Sequence, residues 1–129
     1  MSVKHPIISV TGSSGAGTTS VKQTFDRIFE REGIKATSIE GGAFHRYDRA
    51  DMKIVMQEEA DKGNNHFSHF GPEANLFAEL ESLFREYGQR GAGRFRKYLH
   101  DDAEAAPYNQ PPGTFTAWEP VPPATDLLF

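Results

Sequence analysis

A glycine-rich segment near the start of the chain has the spacing of a loop that binds phosphate groups. Gly12 and Gly17 fit G-x-x-x-x-G, and Thr19 takes the position whose hydroxyl binds Mg²⁺ in such loops. Glycine permits the positive φ angles that turn successive backbone N–H groups toward a phosphate. A helix that begins directly after the loop adds its N-terminal partial positive charge. The residues predicted to bind ATP are Gly12, Ser13, Ser14, Gly15, Ala16, Gly17, Thr18, Thr19 and Ser20.

One position departs from this pattern. Thr18 stands where such loops usually carry a lysine that neutralises the β- and γ-phosphates, so that charge must come from another residue. The alternative interpretation is a glycine-rich turn of an α/β protein that binds no ligand. A dinucleotide-binding turn fits less well, because the glycines do not give G-x-G-x-x-G.

A second group of candidate residues follows the second predicted strand. His45, Arg46 and Arg49 could hold an anionic substrate such as a sugar phosphate, and arginine can do so through two parallel hydrogen bonds. Ligands of open α/β sheets collect at the carboxyl ends of strands, which is where these residues lie. The alternative is the solvated start of a helix with scattered charge.

Two further clusters invite a ligand. The basic stretch at residues 94–100, with Arg94, Arg96 and Lys97, is a candidate for phosphate contact or else an exposed strand with basic side chains. His66 and His69 could suggest a metal site, but no acid or cysteine is close by, and a polar loop is the favoured interpretation.

The elements that must position these residues follow from the apolar pattern. Strands are predicted at residues 6–10 and 34–40, with a helix at 19–32 between them, which makes a right-handed βαβ unit of a parallel sheet. Gly33 is the predicted stop of that helix, and Asp48 is a predicted N-cap. Further helices are predicted at residues 48–62 and 72–87, and short strands at 94–99 and 126–129. Residues 107–123 hold six prolines and are predicted to be a loop.

Composition limits the function classes. The 129 residues carry a net charge of −4, which does not favour nucleic acid or an anionic membrane as a partner. The absence of cysteine excludes disulfides and thiolate metal sites. No apolar stretch reaches the length of a membrane span. We therefore expect a single α/β domain in a cytoplasmic protein.

Several segments, in order along the chain, resemble bacterial phosphoribulokinases. The glycine loop without lysine is distinctive of that branch. The matching segments are HPIISVTGSSGAGT (residues 5–18), SIEG (38–41), AFHR (43–46), RADM (49–52) and HDDAEA (100–105).

The resemblance implies a P-loop kinase fold, ATP and Mg²⁺, and phosphorylation of ribulose 5-phosphate to ribulose 1,5-bisphosphate in the Calvin cycle. It also implies homo-oligomers activated by NADH. On the matching positions, Thr19 would face Mg²⁺, His45 and Arg49 would contact the sugar phosphate, and His100 would belong to the substrate site. Arg31 falls on a position linked to the effector response.

Three features depart from the family. The family has Thr-Ser-Thr where this chain has Thr18, Thr19 and Ser20, which keeps a hydroxyl at each position. The family places an aspartate, the general base, where this chain has Gly42, and glycine cannot accept the hydroxyl proton. The family also continues beyond the position of Phe129, with further acidic and basic site residues.

These departures lead to three expectations. We expect residues 1–129 to be the N-terminal part of a single P-loop kinase domain, incomplete at the C-terminus and inactive alone. A related kinase of a nucleoside or another small alcohol is the alternative enzyme. An ATP-binding module without transfer chemistry is the alternative from another class.

Overall fold

The computed structural model describes residues 3–13 and 15–129, and its elements are helices and very short strands. In chain order they are α1 (Thr18–Glu32), β1 (Ala36–Thr37), a 3₁₀ turn (Gly41–Phe44), α2 (Arg49–Asp61), α3 (Phe77–Arg90), β2 (Arg94–Phe95), α4 (Asp102–Ala105), a second 3₁₀ turn (Ala106–Tyr108), β3 (Glu119–Pro120) and β4 (Leu127–Leu128).

A parallel sheet is centred on β4. β1 pairs with one side of β4, with Ala36 opposite Leu127. On the other side, Ile7 forms a parallel bridge with Leu128, and the Ile8 N–H donates to the Leu128 carbonyl over 2.9 Å. The predicted strand at residues 6–10 is reduced to the single bridge at Ile7, the one at 34–40 is reduced to β1, and β4 lies between these two segments. Both leucines of β4 are buried, as expected of the central strand of a covered parallel sheet.

Helix α1 has the boundaries that the glycines predict. Gly33 is its C-cap with a φ of 67°, which confirms the predicted stop. Phe29 is buried, and the rings of Phe25 and Phe29 lie 5.1 and 5.3 Å from the ring of Phe129. The helix is thus attached to the sheet through an aromatic cluster beside β4.

Helix α2 begins as predicted, because the Asp48 carboxylate accepts a hydrogen bond of 2.9 Å from the Asp51 N–H. Helix α3 differs from its prediction at both ends. It begins at Phe77 rather than Pro72, since Asn75 forms an antiparallel bridge with His45 and the chain before Phe77 is not helical. It passes through Gly88 and ends at Gly91, which has a φ of 68°.

The proline-rich segment is more ordered than predicted. β3 pairs antiparallel with β2, with Arg94 opposite Pro120. The backbone N–H groups of Leu99 and Thr116 each donate over 2.9 Å to carbonyls of the opposite segment. Proline fits here because it lies where no N–H is needed for the ladder. The predicted strand at residues 94–99 is reduced to β2.

One core joins these elements. Its most deeply buried large side chains are Tyr87 of α3, Phe44 of the first 3₁₀ turn and Leu128 of β4. The cluster as a whole comprises Ala43, Phe44, Leu83, Tyr87, Phe95, Val121 and Leu128. The first 3₁₀ turn, which carries Gly42, is therefore attached to the core rather than free at the surface. Among the residues that the structure describes, no helix is long and apolar enough to cross a membrane.

Candidate functional site

The glycine loop has backbone geometry that suits an anion. Gly15 and Gly17 have φ angles of 81° and 91°, and, apart from their chain neighbours, no atom of the described residues lies within 4 Å of the position a Cβ would take on either. Gly17 is the N-cap of α1 and supplies no side-chain hydrogen bond to the first turn. The first N–H groups of a helix have no partner within it, so they are open to an anion here. Ser14 lies outside the described residues.

A cleft of about 700 Å³ separates this loop from the first 3₁₀ turn; we call it the loop cleft. Thr18, Thr19 and Lys22 line it from α1. Its opposite wall is formed by Glu40, Gly41, Gly42, His100 and Glu104. The Lys22 ammonium lies 2.7 Å from the Asp26 carboxylate, in an exposed ion pair one helical turn apart.

A second cleft, of about 730 Å³, lies along α2; we call it the α2 cleft. Its polar walls come from the residues that precede α2, from α2 itself, from the loop before α3 and from the segment after β2. They comprise His45, Tyr47, Asp48, Arg49, Lys53, Gln57, His69 and Tyr98. The structure thus brings His45 and Arg49 into one cleft, as the sequence predicts for an anionic substrate. His69, which the sequence suggested only as part of a polar loop, belongs to the same wall.

Two residues hold His45 in place: Asn75, which the sequence did not indicate, and Arg96, which it suggested as a phosphate ligand. Its Nδ1 lies 2.8 Å from the Oδ1 of Asn75, a buried residue. Its carbonyl accepts a 2.6 Å hydrogen bond from Arg96 Nη2, while Arg96 Nε donates over 2.7 Å to the carbonyl of Ala43. No spacing rule signals the contact between Asn75 and His45, because the two residues lie 30 positions apart in the sequence.

Arg96 therefore faces the protein and not a phosphate, contrary to its candidate role in the basic stretch. Its guanidinium carbon lies 3.6 Å from the centroid of the Phe115 ring and 4.7 Å from that of Trp118. Burial lowers the pKa of this guanidinium, and the nearby Glu79 carboxylate opposes that change. Its hydrogen bonds to carbonyls and its stacking on aromatic rings compensate the partial desolvation of the charge.

The rest of the basic stretch does not gather at one place. Arg94 is exposed, and Lys97 donates a 3.1 Å hydrogen bond to the hydroxyl of Tyr108, which raises the pKa of Lys97. Neither residue lines either cleft. The sequence interpretation of this stretch as exposed and basic holds for Arg94 and Lys97, and the structure does not gather Arg94, Arg96 and Lys97 into one site.

Arg49 and His100 link the two clefts. Arg49 Nη2 donates a 2.8 Å hydrogen bond to the carbonyl of His100, and the Arg49 N–H donates over 2.9 Å to the Gly113 carbonyl. A Cβ on Gly113 would come within 2.7 Å of the Arg49 Cβ, so this close approach requires glycine. The remaining guanidinium donors of Arg49 are available in the α2 cleft, because a guanidinium has five N–H groups.

His100 is oriented by Glu104 on α4. The Glu104 Oε2 atom accepts the His100 N–H over 2.9 Å and lies 3.0 Å from His100 Nδ1. These hydrogen bonds, first the backbone one and then the side-chain one, hold the pKa of Glu104 below its usual value. On the same wall of the loop cleft, His100 Nε2 lies 4.0 Å from the Glu40 carboxylate. The carboxylates of Glu40 and Glu104, one near each ring nitrogen, make His100 part of a polar wall.

Gly42 lines the loop cleft and lies close to His45 of the α2 cleft. A Cβ at this position would stand 3.8 Å from His45 Nε2, an ordinary contact, so a side chain has room there. The nearby carboxylates in sequence are already placed: Glu40 is opposite His100, and Asp48 caps α2. The residue at the expected base position therefore contributes space and no proton acceptor.

Arg31 lies apart from both clefts. It is in the last turn of α1, is exposed, and its Nε lies 3.0 Å from the neighbouring Glu32 carboxylate. His66 is also exposed and lines neither cleft. The structure does not bring either residue to the site.

Comparisons with known proteins agree on one family. The family described as "Phosphoribulokinase / Uridine kinase family" matches residues 7–129. The chain is 68% identical to a phosphoribulokinase of Nitrobacter vulgaris over 98% of its length, and 54% identical over its whole length to a probable phosphoribulokinase of Escherichia coli. A solved structure, "Phosphoribulokinase from Rhodobacter spheroides", superposes with a TM-score of 0.84 at 53% identity over 98% of this chain.

The matches cover nearly all of this chain but less than half of each relative. The chain spans 43% of the Nitrobacter vulgaris protein, 44% of the Escherichia coli protein and 42% of the solved chain. The similarity therefore concerns less than half of each relative.

Proposed function

Since this chain belongs to the phosphoribulokinase and uridine kinase family, we propose that the protein is a phosphoribulokinase. It transfers the γ-phosphoryl group of ATP to the 1-hydroxyl of ribulose 5-phosphate, releasing ADP and ribulose 1,5-bisphosphate. One observation carries the proposal: Gly42 lines the cleft beside the glycine loop, and a Cβ on it would lie 3.8 Å from Nε2 of His45, which lines the cationic α2 cleft. A sugar phosphate kinase needs separate sites for the phosphates of ATP and for the phosphate of the sugar. The γ-phosphoryl group and the acceptor hydroxyl must still be brought together.

On the donor side, the loop from Gly12 to Ser20 holds the phosphates of ATP in this proposal. The open N–H groups at the start of α1 and the cleared space at Gly15 and Gly17 suit that role. The Thr19 hydroxyl, at the second position of α1 and on the wall of the loop cleft, is the group that would face Mg²⁺. Mg²⁺ would neutralise charge that develops on the transferred phosphoryl group.

On the acceptor side, His45 and Arg49 bind the phosphate of ribulose 5-phosphate in the α2 cleft. His100, which accepts from Arg49 through its carbonyl, places its ring in the loop cleft beside Glu40. The sugar would extend from one cleft to the other past Gly42, so that its 1-hydroxyl approaches the glycine loop. The three residues thus hold the substrate at both ends.

The acceptor hydroxyl must lose a proton during transfer, and Gly42 cannot take it. We therefore propose that this 129-residue chain binds both substrates but transfers phosphate slowly. Glu40, which follows β1 and lines the loop cleft, is then the candidate for weak base catalysis.

Further features of the proposal concern the whole protein. Residues 1–129 would form the N-terminal part of one P-loop kinase domain. The protein would be cytoplasmic and homo-oligomeric, and NADH would activate it through a response that involves Arg31. The exposure of Arg31 at the end of α1 is compatible with an effector or subunit contact.

The test is a phosphoryl-transfer assay of the natural gene product with ATP, Mg²⁺ and either ribulose 5-phosphate or uridine. Transfer to ribulose 5-phosphate in preference to uridine is expected. A preference for uridine would indicate a nucleoside kinase instead. ATP binding without transfer to either acceptor, even after Gly42→Asp, would indicate a nucleotide-binding module.

A further inference from the structure

A buried amide controls the ring of His45. The side chain of Asn75 is 7% exposed, and its Nδ2 donates to two backbone carbonyls, those of His69 and Gly71, each over 2.8 Å. A carbonyl oxygen can only accept, so the nitrogen of the amide must face these two groups. The oxygen of the amide is therefore directed at His45 Nδ1, at 2.8 Å. The hydrogen-bond network fixes this orientation.

That orientation determines where His45 carries its proton. An amide oxygen only accepts, so Nδ1 must be the N–H donor of the pair. Neutral imidazole has a single N–H, which leaves Nε2 with a lone pair and no hydrogen. Among the described residues, no group hydrogen-bonds to Nε2. Nε2 is therefore open to a ligand.

A phosphate dianion offers only acceptor oxygens, so the lone pair of a neutral His45 would repel it. Binding a dianion at Nε2 requires a second proton on the ring. We infer that Asn75 is a positioning residue that makes His45 receive the substrate phosphate as a doubly protonated imidazolium. This inference rests on the proposed function, in which His45 contacts the phosphate of the acceptor. Capture of the phosphate then takes up one proton.

The charges around His45 permit this protonation once a phosphate is bound. The titratable and charged groups that face it come from its own segment, from α2, from the loop before α3 and from the segment after β2. They are Tyr47, Asp48, Arg49, Lys53, His69, Arg96 and Tyr98. The cations among them outnumber the one carboxylate, which caps α2. A dianion in the cleft offsets this excess of positive charge and favours the imidazolium.

The arrangement also makes phosphate affinity depend on pH. Where His45 is neutral in the free protein and one proton is taken up on binding, affinity falls by up to tenfold for each unit of rising pH. If Asn75 did not fix the ring, His45 could bind phosphate as the neutral Nε2–H tautomer, and no proton uptake would be needed.

The direct experiment is ¹⁵N NMR of the histidine rings in this chain, with His45 assigned through a His45→Gln variant. Spectra are recorded without ligand and during titration with inorganic phosphate and, separately, ribulose 5-phosphate. The expected result is an Nδ1–H tautomer wherever free His45 is neutral, and two protonated ring nitrogens when phosphate is bound. An Nε2–H tautomer in the free protein, a neutral ring in the complex, or no response of His45 to either ligand would overturn the inference.

A variant supplies the second test. In Asn75→Ala the ring is free to present Nε2–H while neutral. We expect phosphate binding at pH 6 to be weaker by about tenfold, because the ring is no longer held. At about pH 8.5, above the ordinary range of histidine, we expect the proton uptake of the variant to fall well below one, measured by calorimetry in buffers of different ionisation enthalpy. Asn64→Ala, on the exposed loop after α2, is the matched control and should keep the proton uptake of the parent chain. Undiminished proton uptake in Asn75→Ala would contradict the role of Asn75.

These outcomes are separable from the proposed function. If His45 shows the expected tautomer and protonation with phosphate but ribulose 5-phosphate is not phosphorylated, the inference stands and the function fails. If ribulose 5-phosphate is phosphorylated while His45 stays neutral in the complex, the function stands and the inference fails.

Discussion

The two sides of the site are built in different ways. The described residues of the glycine loop are all exposed, and the hydrogen bonds that shape it are local, such as Ala16 N–H to the Ser13 carbonyl at 3.0 Å. The first 3₁₀ turn contains Ala43 and Phe44, which are 0% and 2% exposed. Arg96, 53 residues farther along the chain, donates to the Ala43 carbonyl. The donor side thus depends on local backbone geometry, and the acceptor side depends on tertiary contacts.

This difference has a consequence for substitutions. A change in the glycine loop should alter nucleotide binding and leave the fold intact, since few contacts cross to the rest of the protein. A change around the 3₁₀ turn should alter stability and sugar phosphate binding together. The four substitutions below test this separation, from the largest expected effect to the smallest.

Gly42→Asp should have the largest effect. The position has room for a Cβ, and a carboxylate there would stand at the loop cleft near His45, where the acceptor hydroxyl of the proposed reaction must lose its proton. A well-placed general base commonly contributes ~10²–10⁴-fold, so we expect a gain of that order in kcat of the natural gene product. Gly42→Asn is the matched control, with similar size and no basic oxygen. Equal rates for both variants would show that another carboxylate, such as Glu40, serves as the base.

Arg96→Met should destabilise the acceptor side. It removes the charged donor from the carbonyls of Ala43 and His45 and leaves both without that partner. Hydrogen bonds to charged groups are worth about 1.5–3 kcal/mol each, so we expect a loss of roughly 3 kcal/mol in the free energy of unfolding. Chemical denaturation measures this loss. The control Arg94→Met, at an exposed position, should stay within about 0.5 kcal/mol of the parent. Equal losses in both variants would count against the structural role of Arg96.

Gly17→Ala should affect only the donor side. The φ of 91° is unfavourable for alanine by about 1–2 kcal/mol, and a methyl group would occupy space cleared for a phosphate. We expect ATP affinity to fall about tenfold, as measured by calorimetry, with ribulose 5-phosphate affinity unchanged. Gly88→Ala inside α3 is the control, since nothing lies within 4 Å of its Cβ position and alanine favours a helix. A fall in sugar phosphate affinity in Gly17→Ala would break the separation of the two sides.

Tyr87→Phe should have the smallest effect, confined to the core. The hydroxyl donates a 3.3 Å hydrogen bond to the Thr125 carbonyl, and its loss should cost about 1 kcal/mol. Burial, and then the charge of Asp126, raise the pKa of Tyr87 above its ordinary value of 10.0. The folded state therefore retains this proton where the unfolded state loses it, so stability falls as pH rises above about 10.

Unfolding curves of Tyr87→Phe and the parent at pH 8 to 11 measure this dependence. The difference in stability between the two proteins should shrink above pH 10. A difference that stays constant up to pH 11 would show that the Tyr87 phenol does not contribute to the pH dependence.

The difference between local and tertiary contacts also explains which features the sequence could predict. The boundaries of α1, the N-cap Asp48 and the glycine loop depend on neighbours within a few residues, and spacing rules describe such contacts. The position of β4 between the two other parallel segments depends on pairing over about 90 to 120 residues of sequence, which no local pattern specifies. His45 and Arg49 were predicted for one cleft because both flank the end of the second strand.

The misassigned features share one physical cause. Arg96 has the composition of a phosphate ligand, but carbonyls and aromatic rings from distant segments surround it. The start of α3 was predicted too early because residues before Phe77 pair with the chain at His45 instead of continuing the helix. Asn75 gave no signal, since its importance comes only from the three groups that it contacts.

The central claim is that the glycine loop binds the phosphates of ATP and that the α2 cleft binds the phosphate of ribulose 5-phosphate. The most direct measurement is an amide NMR titration of the chain with Mg²⁺-ATP and with ribulose 5-phosphate, alone and together. We expect Mg²⁺-ATP to shift amides at residues 12–20, ribulose 5-phosphate to shift amides at residues 45–57, and both ligands to bind at once. Competition between the ligands for the glycine loop, or no response of residues 45–57 to ribulose 5-phosphate, would contradict the claim.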